Sequence, residues 1–178
     1  MEIADIGYTI RLARGDELEK LQAVERAAGM LFAEIGLNEV AESDTLPLDF
    51  LEEQQSAGLI WVAAEAADHP VGFAVVTELE GTCYLEEISV LPAHGRRGIG
   101  KSLIGFLCDW ASENGYQAMT LSTFQDVPWN APFYARLGFR VLDANEMSPG
   151  LQEVLEEETN AWHPLRRVLM RRELNGEK

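Results

Sequence analysis

The chain has 178 residues, 47% of them hydrophobic and 25% charged, with a formal net charge of -16 at pH 7. That length and apolar fraction supply one sizeable core, and no stretch approaches the ~18 uninterrupted apolar residues of a membrane span. Nucleic acid is disfavoured as a partner, because there is no basic stripe with interleaved aromatics. Met1-Glu2-Ile3-Ala4-Asp5 lacks the basic opening and apolar run of a signal peptide, so the expectation is a single cytoplasmic domain over residues 1–178.

In chain order, Tyr8, Ile10 and Leu12 alternate with Thr9, Arg11 and Ala13 as a first strand, and Asp16 is placed to cap a helix bearing Leu18, Leu21, Val24, Ala28, Leu31 and Phe32. A second helix is expected from Pro47 to before Gly58. Leu59 to Glu65 and Val71 to Leu79 read as strands joined by Asp68-His69-Pro70, and Glu80-Gly81 turns the chain into a third, residues 82 to 91. From Ile99 apolar residues recur at Leu103, Ile104, Leu107 and Cys108 with helical spacing, until Asn114-Gly115 stops the helix. A strand over Ala118 to Thr123 follows. Ser148-Pro149 opens a late acidic helix, and Leu165 to Arg172 closes the sheet through Val168-Leu169-Met170. Cys83 and Cys108 offer neither a disulfide framework nor metal-ligand spacing and are expected in the core. His69, His94 and His163 are scattered, two of them before proline, which favours turns over a zinc site.

Chemistry concentrates first at Leu85-Glu86-Glu87-Ile88-Ser89-Val90-Leu91-Pro92-Ala93-His94-Gly95-Arg96-Arg97-Gly98-Ile99-Gly100-Lys101-Ser102-Leu103, a strand, a basic glycine-rich loop and the opening of a helix. At a helix N-terminus the first N–H groups lack intrahelical acceptors and the macrodipole is positive. Main chain alone can therefore bind a phosphate there if no Cβ blocks the approach, and Gly98 and Gly100 remove that block. The glycine order is neither that of a dinucleotide fold nor that of a P-loop, despite Lys101-Ser102. A second motif follows at Asn130-Ala131-Pro132-Phe133-Tyr134-Ala135-Arg136-Leu137-Gly138-Phe139, a short helix closed by glycine and followed by an apolar strand.

Together, from about Trp61 to Phe139, the two segments resemble the GCN5-related N-acetyltransferase (GNAT) superfamily. Its acetyl-CoA motif is Gln/Arg-x-x-Gly-x-Gly/Ala, and a later Asn and Tyr precede x-x-Gly-Phe. One departure stands out: the first position of the acetyl-CoA motif is Gly95, with arginines at 96 and 97. The resemblance implies a mixed α/β fold, with a central, mostly antiparallel, twisted sheet of about seven strands, helices on both faces and a splayed V at the cofactor site. It implies acetyl-CoA as co-substrate, with no metal. Gly95, Arg96, Arg97, Gly98, Ile99, Gly100, Lys101 and Ser102 would hold the diphosphate, and either arginine could supply the charge missing at Gly95. Ile88, Ser89 and Val90 would hold the pantetheine arm, with the Val90 N–H donating to the oxyanion, while Asn130, Phe133 and Tyr134 complete the cofactor contacts.

In the same way the resemblance implies Tyr134 as the acid that protonates the departing sulfur, against a plain aromatic packed beside Phe133 and Phe139. A protonated amine needs a base or a water chain to one. Glu86 occupies the position where similar polyamine and aminoglycoside acetyltransferases carry an acid; Glu87, facing the other side of a regular strand, stays in reserve. Between Arg26 and Arg96 there is no lysine or arginine, while 13 acids fall there. A cationic amine would be drawn to such a surface, although the acids could equally serve solubility. The expected partners are acetyl-CoA and a small-molecule amine, with a homodimer left open and no membrane. Peptide N-terminal or lysine acetylation is the rival within the enzyme reading. A non-catalytic acyl-CoA-binding regulatory module is the rival outside it, and a nucleotide-dependent oxidoreductase is weaker still.

Overall fold

The computed structural model describes residues 2–3 and 7–174. The chain packs as two compact units, each assembled from separated stretches: residues 1–76 with 86–106, and residues 77–85 with 107–178.

In the first unit the strands are β1 (Glu2–Ile3), β2 (Tyr8–Leu12), β3 (Ile60–Ala64), and most of β4 (Pro70–Leu79) and β5 (Thr82–Val90), in that sheet order. β1 with β2, β2 with β3 and β3 with β4 pair antiparallel, and the register shifts between Ala63 and Ala64 where Pro70 enters the sheet. Proline cannot donate to the ladder, so it is tolerated at such an irregularity. The helices are α1 (Leu18–Gly29), α2 (Asn38–Ala41), α3 (Leu48–Ser56) and the first half of α4 (Ile99–Glu113). Ala13, Leu18, Leu21, Val24, Leu51, Ile60, Val62, Phe73 and Val75 form its core, with Leu46, Leu48, Phe50 and Leu91 packed against it.

Two details of the first helix depart from the sequence expectation. Asp16 does not cap it. A 3-10 turn over Gly15–Glu17 precedes α1, and the Glu17 carboxylate accepts the Arg14 N–H at 2.9 Å while Arg11 clasps it at 2.6 and 2.9 Å. The apolar periodicity through Leu31 and Phe32 is also not one helix: α1 ends at Gly29 and the chain tightens into a 3-10 helix over Met30–Ile35. Apolar spacing of three and four residues fits both geometries, so the pattern alone does not separate them.

In the second unit the order continues from β5 to β6 (Ala118–Phe124), then β8 (Arg167–Glu173), then the two-residue β7 (Arg140–Val141). β6 and β8 pair antiparallel over seven registered positions, Ala118↔Glu173 to Phe124↔Arg167, and β7 pairs antiparallel with β8. β5 and β6 are parallel and in register only at Cys83↔Met119 and Tyr84↔Thr120. Counting both short strands gives eight among the described residues, against the about seven that the family resemblance implies. The helices are the end of α4, α5 (Ala131–Arg136) and α6 (Pro149–Trp162). Tyr84, Leu142, Leu151 and Leu169 form a core cluster with Leu79, Met147, Val154 and Leu155 against it. Cys83 and Cys108 are both buried and unbridged, and burial pushes the Cys83 thiol up to about 12, which keeps it a hydrophobic filler.

Candidate active site

The glycine-rich segment lies in the first unit. After β5, Pro92–His94 form a 3-10 turn closed by Gly95 N–H donating to the Pro92 carbonyl at 3.0 Å. A Cβ at Gly95 would stand 3.1 Å from that same oxygen, so a side chain there presses on the turn. Arg96 then adopts φ +59° and Gly98 φ +81° before α4 begins at Ile99. The left-handed region is open to glycine but costs an L residue about 1 to 2 kcal/mol, and such strain recurs at ligand clamps. The backbone reversal leads into the opening of α4, where the Ser102 N–H donates to the Gly98 carbonyl at 2.9 Å and the amides of residues 99 to 101 precede the first intrahelical bond.

β5 delivers the strand residues. Glu86 is exposed and Glu87 half-buried, and the Ser89 hydroxyl donates to Glu87 Oε1 at 2.7 Å, so residues 87 and 89 share a face as strand alternation requires. Ser89 is buried, and Ile88 and Val90 are half-buried. Gly72 on β4 explains how Ser89 and Val90 can lie where they do. A Cβ on it would meet the Ser89 oxygen and Val90 Cγ2 at 3.1 Å, and Ile99 Cγ2 at 3.4 Å. A glycine inside an otherwise apolar strand pattern is the sequence signal for this close approach, and the motif reading passed over it.

Glu25 is the second residue that motif reading passes over. Its two carboxylate oxygens accept the Leu46 N–H at 3.1 Å each, while Gln22 Nε2, one turn earlier on α1, donates to the Leu46 carbonyl at 2.8 Å. Burial first, and then the charge of Glu87, push the Glu25 carboxyl up to about 7, against the opposing pull of the Leu46 N–H and of Arg26. The sequence signal was its spacing: it falls four residues after Leu21 and seven after Leu18, on the apolar face of α1.

The second motif lies in the second unit. α5 ends in a paired turn in which Gly138 N–H donates to Ala135 O and Phe139 N–H to Tyr134 O, with Gly138 at φ +87°. This is a Schellman ending, and it needs glycine at that position. Tyr134 is buried, edge-on to Phe133 at 5.3 Å and to Phe139 at 5.8 Å between ring centroids. Asn130 does not cap α5 through its side chain. Its Nδ2 donates instead to Thr123 Oγ1 at 2.8 Å, which leaves Oδ1 buried with no hydrogen-bond partner. An orphaned buried acceptor is costly and calls for a donor that the protein itself does not supply. Trp129 is exposed, at 36% of its full area.

The acids of the long interval without Lys or Arg are not all free. Asp68 pairs with Arg11 at 2.8 Å and Arg14 at 2.5 Å, and the Glu80 carboxylate accepts the Gly150 N–H at 3.1 Å. Among the described residues no group of three or more His, Cys, Asp or Glu could hold a metal ion, and no helix is long and apolar enough to cross a membrane.

The profile of the acetyltransferase (GNAT) family matches residues 23–139. A peptidyl-lysine N-acetyltransferase, YjaB of Salmonella typhimurium, is 29% identical over 139 residues, covering 78% of this chain and 87% of that protein. Among solved structures, a GNAT-family acetyltransferase of Staphylococcus aureus Mu50 superposes with a TM-score of 0.71 at 18% identity, covering 94% of this chain and 99% of the other. The PaiA N-acetyltransferase of Thermoplasma acidophilum, solved with coenzyme A, gives 0.66 at 17% identity over 93% and 98%. With a family profile that matches residues 23–139, about two thirds of its length, the chain belongs to the acetyltransferase (GNAT) family.

Proposed function

We propose that this acetyltransferase moves an acetyl group from acetyl-CoA to a small cationic primary amine. The observation that carries cofactor use is the buried, unpartnered Oδ1 of Asn130, an acceptor suited to an amide N–H of the pantetheine arm. Gly98 and Gly100 at the opening of α4 suit a diphosphate, with backbone N–H groups from Arg97 to Lys101 as donors, since the Ser102 N–H already donates to the Gly98 carbonyl at 2.9 Å.

Acetyl-CoA supplies an activated thioester, so the protein's own work is to remove a proton, stabilise an oxyanion and return a proton to sulfur. The Val90 N–H is assigned the oxyanion. The Tyr134 hydroxyl is assigned the proton for the departing sulfur, which a phenol can donate without prior charge. An alkyl ammonium titrates near ~10 and must be deprotonated before attack, and Glu86, exposed on β5, is the assigned acceptor, directly or through water. A second reading gives that role to Glu87. It is favoured by one observation: Glu87 is half-buried on β5, accepts the Ser89 hydroxyl at 2.7 Å and faces a second carboxyl, Glu25, which its charge helps to hold protonated. The 13 acids and the lack of any Lys or Arg from residue 27 to 95 support a cationic acceptor.

The pH profile of turnover with a cationic amine separates the two carboxylates. Glu86→Gln should lower turnover with little change in acetyl-CoA affinity, most severely below the amine's pKa. If Glu87→Gln does so while Glu86→Gln is silent, the second reading replaces the first.

A further inference from the structure

The loop of the acetyl-CoA motif carries two adjacent arginines and no side chain at its first position, and the structure treats the two arginines differently. Arg96 sits in the left-handed region. Arg97 is anchored: its Nη1 donates to the Tyr8 hydroxyl oxygen at 3.1 Å. Tyr8 comes from β2, 89 positions away in sequence, and is buried, at 7% of its full area. The same hydroxyl lies 2.9 Å from His94 Nδ1, and the two rings meet edge-on with centroids 5.8 Å apart. All three residues belong to the first unit.

A tyrosine hydroxyl has one proton and two acceptor lone pairs, whereas a guanidinium only donates. Arg97 therefore occupies one lone pair, and the hydroxyl still has both a proton and a second lone pair with which to bond His94 Nδ1, whichever of the two atoms carries the shared proton. Tyr8 is thus fixed at both ends, by its buried ring and by His94. One bond to Tyr8 leaves Arg97 four of its five N–H donors, in a planar fork suited to two phosphate oxygens.

We propose that Tyr8, held by His94, is a positioning residue that sets the Arg97 guanidinium for the diphosphate of acetyl-CoA and thereby replaces the side chain missing at Gly95. The proposal rests on the acetyl-CoA reading above. Three observations support it beyond the contact itself. A Cβ at Gly95 crowds the Pro92 oxygen, so the charge has a physical reason to move down the loop. Arginine carries a large rotamer entropy, and an arm already tethered loses less of it when a phosphate arrives. The tether starts from a core strand, where the buried Tyr8 ring fixes its position.

The test is calorimetric titration of the full-length protein and its Tyr8→Phe, Arg97→Ala and Tyr8→Phe/Arg97→Ala variants with acetyl-CoA, alongside turnover with S-acetylpantetheine, which lacks the diphosphate. Phenylalanine keeps the ring and deletes only the hydroxyl. The expected result for Tyr8→Phe is a five- to tenfold rise in Kd for acetyl-CoA, with kcat at saturation within twofold of the parent. Acetylpantetheine kcat/KM should be unchanged, and in the Arg97→Ala background Tyr8→Phe should add less than a twofold effect. An unchanged Kd in Tyr8→Phe overturns the proposal. So does an equal loss with acetylpantetheine, or an undiminished effect of Tyr8→Phe without Arg97, because either would make Tyr8 a general support of the fold. Absence of acetyl-CoA binding by the parent protein would instead remove the reading on which the proposal rests, and the proposal with it.

Discussion

The loop at residues 95–102 and the helix motif at residues 130–138 are defined by different parts of the chain. In the loop the information is in the backbone: a turn closed on Pro92, positive φ at Arg96 and Gly98, and a helix N-terminus. In the helix motif it is in side chains: Tyr134 wedged between Phe133 and Phe139, and Asn130 turned back to Thr123 with one oxygen left over. A backbone site tolerates changes of side chain as long as the torsions survive, so a glycine at 95 is compatible with it when charge is carried elsewhere on the loop. A side-chain site does not share that tolerance, and substitutions can test the contrast.

The largest effect should fall on the side-chain site. Tyr134→Phe keeps the ring packing and deletes the hydroxyl that we propose protonates the departing sulfur, so turnover should fall by ~10²-fold or more while acetyl-CoA affinity persists. Unchanged turnover with a cognate amine would make Tyr134 a packing residue only. Gly72→Ala attacks the backbone side of the comparison by pressing on Ser89 and Val90. Overpacking of this kind costs about 1 to 3 kcal/mol, visible in chemical denaturation, and acetyl-CoA binding should weaken with it. A neutral result would mean that β4 and β5 part easily at this point.

Glu25 sharpens the electrostatic side. Its folded pKa of about 7 lies above the ordinary 4.5, so the native state holds a proton that the unfolded chain releases between those values. Stability should therefore be greatest, as far as this group is concerned, below pH 4.5, fall as pH rises through 7, and be flat above. Allowing for solvent screening of a partly exposed carboxyl, Glu25→Gln should be about 1 to 2 kcal/mol more stable than the parent at pH 8 and indistinguishable near pH 4.5. Destabilisation at pH 8 would mean that the bond to Leu46 N–H outweighs burial and the charge of Glu87. The smallest effect belongs to Arg96→Gly, which removes the left-handed penalty at the loop and should raise stability by about 1 kcal/mol or less, read as a thermal shift.

How much of this was legible in the sequence follows the same division. Tyr8–Leu12 and Ile99–Glu113 stand where alternation and helical spacing put them, and Leu48–Ser56 lies between the Pro47 and Gly58 that bound it in the sequence. The two glycine motifs could be read because their spacing along the chain is local. Burial of Cys83 and Cys108 followed from their apolar neighbours. What could not be read is long-range. Tyr8 meets Arg97 only because β2 and the loop belong to one packed unit, and no local pattern encodes that meeting. Glu25 looks like any surface acid until its place on the apolar face of α1 is combined with Glu87 on β5. The Asp16 cap failed because Glu17 stands one residue further on, where its carboxylate can take the Arg14 N–H and Arg11 together, leaving Asp16 inside a 3-10 turn.

The central claim, acetyl transfer to a small cationic amine, is tested most directly by thiol release from acetyl-CoA with a matched panel of acceptors. The panel comprises small cationic, neutral and acidic amines together with a lysine-containing peptide, each at low and high salt. The account predicts the highest kcat/KM for the small cationic amine, with its advantage shrinking as added salt shortens the Debye length from ~10 Å toward ~3 Å. Equal or better turnover of an acidic or neutral amine, or a clear preference for the peptide, would contradict it.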